Sequence, residues 1–153
     1  VLVAGNHEVT FDEEYLGRDG WRFLKEDGTA KSNPGVAAAS ARRALLDGCP
    51  GLMLLENEAV RVGPLRIWGS PAQGAFFSGH TMSAFTVAEG SSPPWSDIPA
   101  GTDIVVTHGP PFGVCDLSGE KSPAPQRAGC PTLLEQVLRA KPALHLFGDI
   151  HEG

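Results

Sequence analysis

Basic residues are in short supply. The 153-residue chain carries 12 lysines and arginines against 18 aspartates and glutamates, a formal net charge of −6. It has no block of five or more basic side chains. That balance argues against a surface that grips duplex nucleic acid or an anionic membrane by bulk charge. A small phosphate-bearing ligand stays compatible with it if a bound metal supplies the local positive charge. Long apolar runs are missing as well. Ile104–Val106 and Gly51–Leu55 fall far short of a membrane span, and no signal-peptide pattern opens the sequence. There are three cysteines, Cys49, Cys115 and Cys130. The odd number and the lack of a CxxC pair exclude a disulfide framework and a four-cysteine zinc site. Three free thiols and no Asn-x-Ser/Thr sequon point to a reducing compartment, with the cytoplasm as the expected location.

What the chain does have is enough apolar material for a core, 41% of its residues, together with 19 glycines and 13 prolines. This composition fits one globular domain with long ordered loops, where chemistry often resides. The segment begins inside an apolar run, Val1-Leu2-Val3-Ala4, which reads as a buried strand, and it stops just beyond Gly148-Asp149-Ile150-His151. Such ends are expected of an internal piece of a longer protein.

Between these ends the pattern alternates helices and short strands. Asp12 is a candidate cap for a helix from about Glu13 to Leu24, and residues 27–35 read as a turn-rich loop. Val36–Leu46 has the alanine content of a helix and is stopped by Gly48 and Pro50. Leu52–Leu55, Ala59–Val62 and Leu65–Trp68 are short strands, the last two joined through Gly63-Pro64 as a hairpin. Residues 69–101 are mostly loop. Ile104–Val106 is a buried strand, and a second loop runs on to Gly129. Pro131 opens a helix to about Arg139 with Leu133, Leu134, Val137 and Leu138 on one face. Ala143–Phe147 is the last strand. This mixture is a layered α/β domain.

Three apolar strands each lead into a loop with metal-competent side chains. Val1–Ala4 leads to Asn6 and His7, Ile104–Val106 to His108, and Ala143–Phe147 to Asp149 and His151. Ligands of layered sheets bind in the crevice beyond the strand ends, so the three loops are expected to converge. Imidazole, carboxylate and amide oxygen suit Zn, Mn or Fe. Gly5, Gly109 and Gly148 stand beside the clusters and allow close approach. His145, between Leu144 and Leu146, reads as a packed structural histidine, and Trp68 as core. His80 reads as exposed loop. Phe76, Phe77 and Trp95 are either loop anchors or flanks for a nucleobase.

In Gly5-Asn6-His7-Glu8, Thr107-His108-Gly109-Pro110-Pro111 and Gly148-Asp149-Ile150-His151-Glu152-Gly153, the chain resembles the calcineurin-like metallophosphoesterases. Arg66-Ile67-Trp68-Gly69-Ser70-Pro71, Arg127-Ala128-Gly129-Cys130 and Leu144-His145-Leu146-Phe147-Gly148 resemble their metallophosphoesterase-domain-containing (brain-protein-239-like) branch. The resemblance implies a four-layer αββα sandwich, present here in part over residues 1–153, without its N-terminal strands and C-terminal hairpin. It implies two divalent cations (Mn, Fe or Zn), about 3.5–4 Å apart, with Asn6, His108, Asp149 and His151 as ligands. It also implies a catalytic His7 that, with Asn6, meets the substrate phosphate. The activity implied is phosphoester hydrolysis by a metal-activated hydroxide, on phosphodiester, nucleotide or cyclic-nucleotide substrates.

Two departures accompany the resemblance. The Asp-x-His and Gly-Asp blocks are absent from these residues, so the 153-residue piece alone is expected to be inactive. Asp149 stands where the superfamily places histidine, and its negative charge would reduce the Lewis acidity of the second cation. A catalytically impaired nucleotide-binding or scaffold protein of the same fold is the alternative reading.

Overall fold

Gly63 and Pro64 turn the chain back on itself, and the runs on either side pair as β1 (Glu58–Val62) and β2 (Leu65–Ser70). They are antiparallel, with Val62 opposite Leu65 at the turn and Glu58 opposite Gly69 at the far end. The computed structural model describes residues 1–18, 34–74, 83–87, 91–118 and 126–151. Within these, β2 also pairs in parallel with β3 (Ile104–Thr107). A separate antiparallel pair of two-residue strands follows, β4 (Leu117–Ser118) with β5 (Gln126–Arg127). The last strand, β6 (Leu144–Leu146), pairs in parallel with β3. The main sheet therefore runs β1-β2-β3-β6. Its three parallel members point their C-terminal ends the same way, which is what brings distant loops to one edge.

Among the described residues three α-helices accompany the sheet: α1 (Glu13–Arg18), α2 (Pro34–Gly48) and α3 (Pro131–Ala140). Asp12 starts α1 as expected, its Oδ1 accepting the Tyr15 N–H at 3.0 Å. The expected continuation of that helix to Leu24, residues 27–33 of the expected 27–35 loop, Phe76, Phe77, His80, Glu152 and Gly153 lie outside the described residues, while Pro34 and Gly35, expected in that loop, already belong to α2. Arg42 of α2 pairs with Glu56 at 2.5 Å and donates to the Phe11 carbonyl, tying the helix to the start of β1 and to the turn before α1. Among the described residues no helix is long and apolar enough to cross a membrane.

The two faces of the sheet are packed differently. Trp68 and Val105 are register partners on one face, and they are buried with Ala72, Trp95, Ile98 and Leu133. Trp95 is a loop anchor rather than a ligand platform: it is 1% exposed and its indole N–H donates to Thr132 at 2.8 Å. On α3, Leu133 and Val137 reach this core four residues apart, whereas Leu138 is 62% exposed. The expected four-residue apolar face is thus narrower, because one residue further round the 3.6-residue turn already points to solvent.

The opposite face meets Val3 and Leu55. A Cβ on Gly69 would lie 2.7 Å from the Leu55 Cβ and 2.9 Å from the Val3 Cγ2, so only glycine lets these segments cross the sheet here. Val1–Ala4, expected as a buried strand, is an extended segment with one parallel bridge, Leu2 to Leu54. Val1 and Leu2 are exposed, and only Ala4 is buried. A single bridge covers one residue, and the apolar run has no second neighbour among the described residues to bury it. These residues fit part of the expected sandwich: one mixed sheet, helix on one face, and a lone bridge on the other.

Candidate functional site

Each apolar run ends at the same edge of the sheet. Beyond β3, His108 turns back with its backbone held on both sides. Its N–H donates to the Ser70 carbonyl at the end of β2 (3.2 Å), and its carbonyl accepts the Gly148 N–H beyond β6 (2.8 Å). Asn6 arrives from the Val1–Ala4 segment and Asp149 from β6. Both meet His108 at one atom, Nε2. The Asn6 Oδ1 lies 3.2 Å away, the Asp149 Oδ1 3.3 Å, and the Asn6 backbone N–H also approaches at 3.2 Å. The imidazole and the carboxylate are largely buried, 14% and 10% exposed.

This contact set does not close with protons alone. An Nε2 carrying hydrogen serves the two oxygens but sets its N–H against that of Asn6. An Nε2 without hydrogen accepts from Asn6 but turns its lone pair towards two oxygen lone pairs. In addition, the Asp149 Oδ2 is buried with no hydrogen-bond partner, a costly condition for a carboxylate oxygen. A divalent cation serves the imidazole nitrogen and both kinds of oxygen at once, and this donor set is chemically suited to Mn, Zn or Fe. Among the described residues no group of three or more His, Cys, Asp and Glu side chains gathers. The cluster reaches three donors only through the Asn6 amide.

The local backbone explains why these residues occupy these positions. Asp149 has φ of +72°, a left-handed conformation in which Asp, Asn and His are enriched over other non-glycine residues. Gly5 lets the first loop approach: a Cβ there would sit 2.7 Å from the His108 Cε1 and 2.9 Å from its Nδ1. Gly109 and Gly148 do less than expected. A Cβ on Gly109 would make only an ordinary 3.7 Å contact with the Asp149 Oδ2, and one on Gly148 would come no nearer than 3.9 Å to anything.

His7 and His151 stand apart from this cluster. Both side chains are exposed, although His7 adjoins Asn6 and His151 is two residues beyond Asp149. His145 is a half-buried residue bonded to Thr107, in keeping with a structural histidine. Burial lowers its pKa to about 4, so its ring is neutral near pH 7.

Residues that carry no sequence signal also build the site. Gln73, 2% exposed, donates from Nε2 to the Ala84 carbonyl (2.8 Å) and to the Ser83 hydroxyl. The Asp12 Oδ2 accepts the Phe85 N–H at 2.6 Å. The short strap so held donates its Ala84 N–H to the Asn6 carbonyl at 2.9 Å, fixing the loop that carries the amide ligand. On the other side Asp116, 1% exposed, accepts from Gly113 N–H and from Arg127. Together with backbone bonds between Pro110, Phe112 and Cys130, it closes the loop that follows His108. Cys49, Cys115 and Cys130 are free thiols. His108, Val106, Phe147 and Val3 line an open groove of about 340 Å³. A larger concavity of about 740 Å³ is lined by Arg42, Glu56, Asn57 and Thr86, and by none of Asn6, His108 and Asp149.

No protein-family model matches the chain. Metallophosphoesterase domain-containing protein 1 of Homo sapiens and its counterpart in Mus musculus are each 37% identical over 161 residues, covering 100% of this chain and 44% of their own length. A UPF0046 protein of Caenorhabditis elegans is 31% identical over 158 residues, covering 100% of this chain and 38% of its own length. The chain spans less than half the length of these relatives.

Proposed function

We propose that this chain, 37% identical along its whole length to metallophosphoesterase domain-containing protein 1, belongs with the metallophosphoesterase-domain-containing proteins and carries part of a metal-dependent phosphodiesterase site. The observation that carries this reading is the orphaned, buried Asp149 Oδ2 beside the over-subscribed His108 Nε2. Asn6, His108 and Asp149 hold one divalent cation, and His151 contributes to a second. A bound cation supplies positive charge against a phosphoryl oxygen and lowers the pKa of water. The residues of this chain do the rest. The Asn6 amide and the His108 ring, fixed by Ser70, Gly148 and the Ser83–Val87 strap, hold their donor atoms in place before any ligand arrives, which removes a reorganisation cost. His7, exposed beside Asn6, meets the substrate phosphate and protonates the departing oxygen. The substrate of this reading is a small phosphodiester, a nucleotide or a cyclic nucleotide. The net charge of −6 makes duplex nucleic acid a poor substrate.

Calorimetric titration of the protein with Mn²⁺ tests this reading. Saturable binding that Asp149→Ala and His108→Ala each abolish is expected. Equal binding by the wild type and both variants would overturn it. The catalytically impaired alternative draws on the same carboxylate, because Asp149 adds negative charge where Lewis acidity is needed. Tight nucleotide binding without turnover of bis-p-nitrophenyl phosphate in Mn²⁺, by a chain that also carries the Asp-x-His and Gly-Asp blocks, would favour it.

A further inference from the structure

The cluster explains what His108 meets, but not what holds the turn that carries it. Two of the bonds on that turn are backbone to backbone, from Ser70 and Gly148. The third runs through side chains. The Thr107 hydroxyl donates to the Gly109 carbonyl at 2.8 Å, bridging the turn from the residue before His108 to the residue after it. Thr107 is 3% exposed, so water does not freely replace that bond.

A hydroxyl has one hydrogen. With that hydrogen committed to Gly109, the Thr107 oxygen is left as an acceptor, and the group it faces is the His145 Nε2 at 2.9 Å. His145 comes from the neighbouring strand, where it is the register partner of Val105. Its ring packs edge-on against Phe147, centroids 5.0 Å apart. We propose that His145 is a positioning residue: a hydrogen on its Nε2 orients the Thr107 hydroxyl onto the Gly109 carbonyl and so fixes the turn that presents His108.

The ring is suited to this task. It is neutral near pH 7, so one nitrogen carries hydrogen and the other does not. The opposite tautomer would place a bare nitrogen against the hydroxyl, draw the Thr107 hydrogen away from Gly109 and release the turn. The choice of tautomer is therefore the content of the proposal. Partners hydrogen-bonded directly to a metal-binding histidine commonly change metal affinity by about 10–100-fold when removed, which is the upper bound for His145 because it acts through the Thr107 hydroxyl. The consequence for affinity rests on the cation-site reading above. The geometry of the turn does not.

The experiment has two parts on the intact protein. Long-range ¹H–¹⁵N correlation at pH 7 reports the His145 tautomer: hydrogen on Nε2 is expected, and hydrogen on Nδ1 overturns the proposal. Mn²⁺ titration is then compared for His145→Phe, which keeps the ring volume, and His145→Gln, which keeps an N–H near the same point. A loss of up to about 10–100-fold in the first, with the second within about threefold of wild type, is expected. Equal losses in both, or none in either, would overturn it. If the wild type binds no Mn²⁺, the cation-site reading fails and the His108 ring resonances decide for His145. They shift in His145→Phe and return in His145→Gln, or the proposal is wrong. Thr107→Val and Thr107→Ser provide the same contrast should His145→Phe not fold.

Discussion

Asn6, His108 and Asp149 differ from His7 and His151 in what holds them, although each set lies in the same loops. The first three meet at one imidazole nitrogen within 3.3 Å, and the ring and carboxylate are largely buried. The two outer histidines are exposed. His108 is held by backbone bonds to the ends of the neighbouring strands, and Asn6 by the Ala84 N–H and the His108 ring. One or two residues further on, that control is gone. The proposed roles match this contrast: donor atoms held in place gain from rigidity, and a proton donor such as His7 gains from access to a substrate.

The contrast breaks most sharply at His108. His108→Ala removes the atom on which the other donors converge, and calorimetry should show Mn²⁺ affinity falling by at least about 100-fold, beyond the usual effect of an outer-shell partner. His7→Ala should leave that affinity within about twofold while lowering phosphodiester turnover by about 100-fold, the lower end of what general acid catalysis supplies, the turnover being read in a chain that also carries the Asp-x-His and Gly-Asp blocks. A parallel loss of affinity would merge the two groups. Asp149→His removes a negative charge from the cluster at a backbone conformation that histidine tolerates. In a chain that also carries the Asp-x-His and Gly-Asp blocks, turnover in Mn²⁺ should rise about tenfold, one unit of effective pKa change in the reacting water; an unchanged or lower rate would count against a weakened second site.

The smallest effect concerns pH and stability. The pKa of His145 falls from 6.5 to about 4 on burial, so the unfolded chain takes up the proton more readily than the folded one. The contribution of the neutral ring is fully present above pH 6.5 and is lost as pH falls towards 4. Thermal melts over that range should slope down for the wild type and less steeply for His145→Gln.

Much of the site was legible because apolar runs followed at once by Gly-Asn-His, Thr-His-Gly and Gly-Asp-x-His mark strand ends, and parallel strands bring their ends to one edge. The β1–β2 hairpin, the start of α1 at Asp12 and the burial of Trp68 were legible for similar local reasons. Other features depend on the third dimension. Nothing in the sequence marks Gln73 or Asp116, since their partners Ala84 and Arg127 are close only after folding. The Val1–Ala4 run has the composition of a buried strand, but burial depends on a neighbour, and Leu2 has a single bridge to Leu54. On α3, periodicity alone widened the apolar face to include Leu138, where Leu133 and Val137 suffice to reach the core.

Anomalous X-ray scattering from crystals soaked in Mn²⁺ decides whether the Asn6, His108 and Asp149 donors hold a cation. A peak bonded to the His108 Nε2, the Asn6 Oδ1 and a carboxylate oxygen of Asp149 is expected. Ordered Mn²⁺ elsewhere on the molecule, with those three atoms unligated at saturating metal, would contradict it.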